Sequence, residues 1–366
     1  MVSKTILRIA YFSDNGKTLT EKLKDQCQDY ILEVWHNNLF SSAETSEEKH
    51  TSLTDWTRDS FEHHLPILFI GAVGIAVRTI APFVDNKLSD SPVVVMDELG
   101  QNVISLLSGH FGGANDLARR LAKITGANAV ITTATDVNNA FAIDVFAKNN
   151  GFRILDKSRI KAVSSKVLKG IQVKYSISLD NYEEIGSSPA NFIQSDDNPD
   201  IIITDDYENI ASEGCPLVLI PKRMVFGMGC KKGKNFDELL EFVNTYYENA
   251  QIMGNLHSIC SIDVKANEIG LIKLAQYFGV PFETFSAQQL QGIPYDFDES
   301  EFVKTKVGVG NVCERAAVMM ATKSDQNRIT EFDNENIKLS VLKRQKTAFN
   351  GITLAESRID KIFINW

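Results

Sequence analysis

The stretch Leu106–Ala122, LLSGHFGGANDLARRLA, places a serine, a histidine and three glycines within six residues and then turns amphipathic. Histidine titrates near neutrality and can both take and give a proton. Gly112 and Gly113 precede Asn115, which reads as a helix N-cap, and Gly126 reads as the residue that closes the helix. The turn lacks the GxSxG spacing of a nucleophile elbow. By residue type alone, His110 is a loop histidine facing a cleft, with Ser108 two positions before it. Asp97 and Glu98 end the apolar run VVVM. They are placed either for acid–base work at a strand end or simply to start a turn.

Three further glycine-bearing segments read as strand-to-helix turns: GAVGIAVR (Gly71–Arg78), GMGCKKG (Gly227–Gly233) and VGVGNVCERAA (Val307–Ala317). Such turns expose backbone N–H groups and the positive end of a helix dipole, which suits anions. They make Gly71, Gly74, Gly227, Gly229, Gly308 and Gly310 candidate contacts to an anionic ligand. Equally, glycine there only permits tight turns and close helix–strand packing. Arg78, Lys231 and Lys232 are candidate carboxylate partners. Arg119 and Arg120 read as a solvated helix face and rank below Arg78. GMGCKKG is not GxGxxG, and no GxxxxGK[ST] occurs, so a nicotinamide or nucleotide site is disfavoured.

Positioning such turns requires strands that alternate with helices. TILRIAYFS, YILEVWHN, LPILFIGAVG, SPVVVMDELG, QNVISLLSG and NAVITTATD read as strands with helical patterns between them, which implies a parallel α/β sheet. From about Phe146 the elements become shorter and more polar. From Met224 a third pattern of strand, helix and closing hairpin begins. The expectation is an α/β protein in three parts. N-terminal (1–145) and C-terminal (223–366) α/β domains with largely parallel sheets flank a smaller middle α/β domain (146–222).

A chain of 366 residues is long enough for this division. The formal net charge of −9 argues against nucleic acid and anionic membranes as partners. The five cysteines are scattered, with no CxxC pair, so no metal knuckle is expected and the thiols suit a reducing cytoplasm. The longest apolar run, ILFIGAVGIAV, is shorter than the roughly 20 residues a spanning helix needs.

The run Phe69–Asp136, with GGANDLA after SGH, resembles the N-terminal signature of the CbiG family, the cobalt-precorrin-5A hydrolases of anaerobic cobalamin biosynthesis. GMGCKKG, NEIGLIKLAQYFGVPFETFS and VGVGNVCERAAVMMA resemble its C-terminal part in the right order. Lys231 and Lys232 stand where the family commonly has arginines. The resemblance implies hydrolysis of a corrinoid δ-lactone with loss of acetaldehyde, giving cobalt-precorrin-5B. It implies no cofactor of the protein's own, because the cobalt arrives with the substrate. It also leaves room for a homodimer and for contacts with other cobalamin-pathway enzymes. A non-catalytic corrinoid carrier is the alternative. The glycine turns are then expected to hold the macrocycle between the outer domains at shared carboxyl edges, with Gly112, Gly113 and Asn115 among the contacts. Arg78, Lys231 and Lys232 would clamp its carboxylates. His110 is expected to activate water or protonate the leaving oxygen, with Ser108 as its hydrogen-bond partner and Asp97 or Glu98 as the alternative base.

Overall fold

The computed structural model describes residues 4–36, 52–86, 90–110, 112–138, 140–206, 216–293, 297–325 and 342–366. The chain forms two compact units, Lys4–Asn139 and Ala140–Trp366.

The first unit is built on six strands: β1 (Thr5–Tyr11), β2 (Tyr30–His36), β3 (Ile67–Ile70), β4 (Val93–Met96), β5 (Asn102–Leu107) and β6 (Asn128–Val130). They lie in the order β2-β1-β3-β4-β5-β6. ILFI and VVVM are buried throughout, as expected of central strands covered on both faces. Helices Asp14–Gln26 and Ala114–Thr125 bury Leu23, Leu117 and Leu121 against Leu7, Leu68 and Met96 on one face. Helices Leu53–Glu62 and Val73–Ile80 bury Trp56, Ala76 and Ile80 against Phe69 and Val95 on the other.

Strands β1 to β4 are mutually parallel, but β4 and β5 pair antiparallel, and β5 and β6 then run parallel to each other. Only residues 97–101 connect β4 to β5. A parallel crossover needs a dozen or more, so this connection can only be a hairpin. The expectation of one shared carboxyl edge therefore fails in this unit. Gly71 and Gly74 follow β3 at one edge, and Ser108–Gly113 follow β5 at the opposite edge.

The second unit contains β7 (Phe152–Ile154), β8 (Val173–Ser178), β9 (Tyr182–Ile185), β10 (Phe192–Gln194), β11 (Ile201–Thr204), β12 (Leu217–Pro221), β13 (Met224–Cys230), β14 (Leu256–Ile262), β15 (Phe282–Phe285), β16 (Leu342–Phe349), β17 (Ile352–Arg358) and β18 (Ile362–Asn365). One sheet runs β10-β8-β11-β12-β7, parallel except for its edge strand β7. Another runs β15-β14-β13-β17-β16, with β17 and β16 antiparallel. β18 pairs with β9, and one core cluster contains buried residues from Ile143 to Ile364. The architecture is thus α/β with largely parallel sheets.

Two glycine segments differ from their expected form. Gly227 and Gly229 lie inside β13, and the turn starts only at Lys231. A Cβ on Gly227 would stand 1.8 Å from the Cys313 carbonyl oxygen, so glycine lets helix Val312–Asp325 press directly on the strand. VGVGN begins on the last residue of a helix, Glu301–Val307, which Gly308 closes at φ +82°. A Cβ on Gly310 would meet Glu299. At these positions the glycines permit close packing and the closing of a helix. Among the described residues, no helix is long and apolar enough to cross a membrane.

Candidate active site

Because β5 and β6 are parallel neighbours, the segments leaving their carboxyl ends meet at one edge. After β5 the backbone turns sharply at Ser108, in the left-handed region at φ +54°. Gly113, at φ +96°, takes the N-cap position of helix Ala114–Thr125. Asn115 is therefore inside the helix rather than its cap. After β6, Thr133 precedes the short helix Ala134–Val137, which carries Thr135 and Asp136.

These two segments bring His110 Nε2 to 2.6 Å from Asp136 Oδ2 and 2.9 Å from Thr135 Oγ1. Asn115 Nδ2 donates to the same Asp136 Oδ2 at 2.8 Å and to Thr133 Oγ1 at 3.1 Å. Arg119 pairs with Asp136 Oδ1 and also reaches Asp116 Oδ1 at 3.2 Å. Burial alone would raise the Asp136 carboxyl. The hydrogen bonds from Arg119 and His110 outweigh it and hold the group below the usual carboxylate range. The side chains of His110 and Asp136 are 18% and 17% exposed, so the pair is sheltered yet within reach of solvent. An ionised carboxylate accepting at Nε2 favours the tautomer whose lone pair is on Nδ1. A histidine held this way by a carboxylate is equipped to take a proton from water and return it.

The remaining predicted residues are distributed differently. Ser108 is buried, and its Oγ has no hydrogen-bond partner among the described residues, so it does not bond His110. Its neighbourhood explains the glycines around it: a Cβ on Gly112 would lie 2.4 Å from Ser108 Cβ, and one on Gly109 would lie 2.6 Å from Asn115 Oδ1. Asp97 organises the β4–β5 turn, accepting from the backbone of Leu99, Gln101 and Asn102 at 3.0, 3.1 and 2.6 Å. Glu98 is exposed in that turn. Both lie at the edge opposite His110. So does Arg78, exposed in the last turn of its helix and folded back toward Gly74.

In the second unit, Lys231 and Lys232 are exposed beyond β13, with the Lys231 stem packed on Gly351. Their neighbour Lys234 is instead committed to Glu238 at 2.5 Å. Elsewhere in this unit burial, and then the charges of Arg153 and Lys157, push the Lys222 ammonium down to about 8. Burial, and then Lys222, push His257 down to about 4. Among the described residues, no group of three or more His, Cys, Asp or Glu is placed to hold a metal ion.

Known proteins supply an independent line of argument. The family pattern described as Cobalamin synthesis G N-terminal matches residues 55–136, and Cobalamin synthesis G C-terminus matches residues 224–356. The cobalt-precorrin-5A hydrolase of Salmonella typhimurium is 40% identical over 275 residues, 72% of this chain and 78% of that protein. The chain belongs to the CbiG family. A second relative, the cobalt-precorrin-5A hydrolase of Priestia megaterium, is 31% identical over 301 residues, 77% of this chain and 79% of that one. The solved structure of a cobalamin biosynthesis protein G homolog from Sulfolobus solfataricus aligns over 98% of both chains at 20% identity, with a TM-score of 0.39.

In this CbiG-family protein the sequence reading singled out His110 but not Asp136, Thr135 and Thr133, which the structure brings to the same edge, and it set Arg119, the partner of Asp136, below Arg78. A usable signal existed. SGH and TTATD end two strands joined by a single helix. Such a unit places its strands parallel and usually adjacent, with their carboxyl ends together.

Proposed function

We propose that this protein is a cobalt-precorrin-5A hydrolase of anaerobic cobalamin biosynthesis, and that the reaction runs at His110 and Asp136. The observation that carries the proposal is the 2.6 Å contact between those two side chains at the entrance to a helix. Asp136 holds the Nε2–H of the ring, and Nδ1 takes a proton from water. The water oxygen bonds the lactone carbonyl carbon, and the carbonyl π-electrons move to oxygen. The N-terminal end of helix Ala114–Thr125 favours negative charge at this point. Collapse of that intermediate breaks the ring C–O bond, and the imidazolium, stabilised by Asp136, protonates the departing oxygen. When the resulting alcohol loses its proton, its C–O bond becomes a carbonyl. The adjacent C–C bond breaks, its electron pair passes to the macrocycle, which takes up a proton, and acetaldehyde leaves.

The cobalt belongs to the substrate, and on this reading the protein uses no cofactor of its own. Lys231 and Lys232 serve as partners for peripheral carboxylates, which are charged in ground and transition states alike, whereas Arg78, at the edge opposite His110, is left out of this role. The enzyme works in the cytoplasm, as a monomer or homodimer, alongside other enzymes of the pathway. The test is to incubate the pure protein with cobalt-precorrin-5A and trap the aldehyde. A hydrolase releases one acetaldehyde per corrinoid, whereas a carrier binds the corrinoid and releases none.

A further inference from the structure

Helix Ala114–Thr125 buries Ala114, Asn115, Leu117, Ala118, Leu121 and Ala122. Asn115 is the one side chain of that set with polar atoms beyond the backbone, and it is only 3% exposed. Its Nδ2 is well used, donating to Asp136 Oδ2 at 2.8 Å and Thr133 Oγ1 at 3.1 Å. Its Oδ1 is buried without a hydrogen-bond partner among the described residues. That oxygen also lies 2.6 Å from where a Cβ on residue 109 would stand, so the Asn115 amide as placed requires glycine at 109. A buried orphan acceptor weakens a fold. An apolar residue of the same shape would fill the space without one. Turning the amide over would remedy nothing, since it would aim Oδ1 at the Asp136 carboxylate.

The use of Nδ2 supplies the reason for an asparagine here. It donates to the same carboxylate oxygen that faces His110 Nε2, whereas Arg119 takes the other oxygen. Two donors on two oxygens fix both the position and the rotation of the carboxylate plane. We propose that Asn115 is a positioning residue: through Asp136 it holds the His110 ring in the tautomer whose Nδ1 accepts a proton, without touching substrate. This inference rests on the reading of His110 as the base.

The test compares Asn115→Leu, Asn115→Ala and Asp136→Asn with the parent protein. Two quantities are read: the ring ¹⁵N shifts of His110, followed across its titration to the neutral form, and steady-state acetaldehyde release. Asn115→Leu keeps the shape and removes the orphan oxygen, so it is expected to fold with an unchanged or raised melting temperature. Its His110 shifts should move toward those of Asp136→Asn, and kcat should fall by at least about tenfold with little change in KM. Asn115→Ala gives the same readout if leucine does not fit. Unchanged His110 shifts in a folded Asn115 variant, alongside moved shifts in Asp136→Asn, overturn the positioning role. Moved shifts with full turnover, in a protein where His110→Ala is also fully active, uphold the positioning role and overturn the base.

Discussion

His110 Nε2 and Asp136 Oδ2 lie 2.6 Å apart although their positions in the chain differ by 26. Parallel pairing of β5 and β6 brings this about, since each residue follows the carboxyl end of its own strand. Arg119, one helical turn after Asn115, completes the cradle by pairing with the other Asp136 oxygen. The pair belongs wholly to the first unit, and its chemistry can be tested residue by residue.

Replacing His110 by alanine should lower kcat for acetaldehyde release by about 10²–10⁴, the usual contribution of one general acid–base group. KM should stay within a few fold, because the ring acts on water and the leaving oxygen. Steady-state kinetics with cobalt-precorrin-5A decide it, and near-normal turnover would remove His110 from the mechanism.

Asp136→Asn should cost activity on a similar scale, because an amide presents the wrong partner to Nε2. It should also show a defined pH signature. The native Asp136 carboxyl is held below its ordinary value of 3.8, so its contribution to stability is present above that value. That contribution is lost as pH falls through the lowered native value. Urea unfolding from pH 7 downward should therefore show the parent's advantage over the variant constant to about pH 5 and vanishing in stronger acid. An advantage that grows on acidification would contradict the assignment.

Gly227→Ala should destabilise by roughly 3 kcal/mol or more, since the new methyl would collide with backbone that has no freedom to retreat. Gly126→Ala is the contrast. It meets nothing within 4 Å but sits at φ +79°, so its cost should be about 1 kcal/mol, from conformation alone. Denaturant melts of the two variants measure both, and equal effects would show that the helix–strand contact at Gly227 is looser than described.

Substituting Lys231 or Lys232 by methionine should raise KM more than it lowers kcat. A clamp on a peripheral carboxylate stabilises ground and transition states alike. A large fall in kcat at constant KM for either lysine would assign that residue to the chemistry instead.

Lys222→Met should stabilise the protein at neutral pH by at most about 3 kcal/mol. The folded ammonium titrates near 8 against 10.5 when unfolded, so the unfolded chain binds more protons between those values. The parent's penalty is full below about 8 and fades as pH rises toward 10.5. The variant's gain should fade over the same window, and a gain that persists at pH 11 would assign it to packing rather than charge.

Local physics was legible in the sequence. The buried runs ILFI and VVVM gave strands, the amphipathic run after SGHFGG gave a helix, and Gly126 closed that helix in the left-handed conformation. Each depends on residues within a few positions of one another. The SGH turn was found for the same reason. Asn115 was misread as a cap because asparagine is favoured there, whereas Gly113 takes the position at φ +96°. Asp97 was weighed as a base by type. Its oxygens are spent on three backbone N–H groups of its own turn, a use that becomes visible only once the turn closes.

The sequence by itself determined the α/β class, the family and the presence of a histidine turn at a helix start, because periodicity, capping and motif spacing are short-range properties. Only the tertiary structure decided which residues share an edge. A buried apolar strand has the same composition whether its neighbour runs parallel or antiparallel, so direction is invisible to periodicity. The five-residue link from β4 to β5 reversed that direction, separating Asp97, Gly71 and Arg78 from His110 and leaving Asp136 as its partner. Burial made the same kind of choice at Gly227, where a contact 86 residues distant in sequence, at Cys313, fixed the role of a glycine that its neighbours left open.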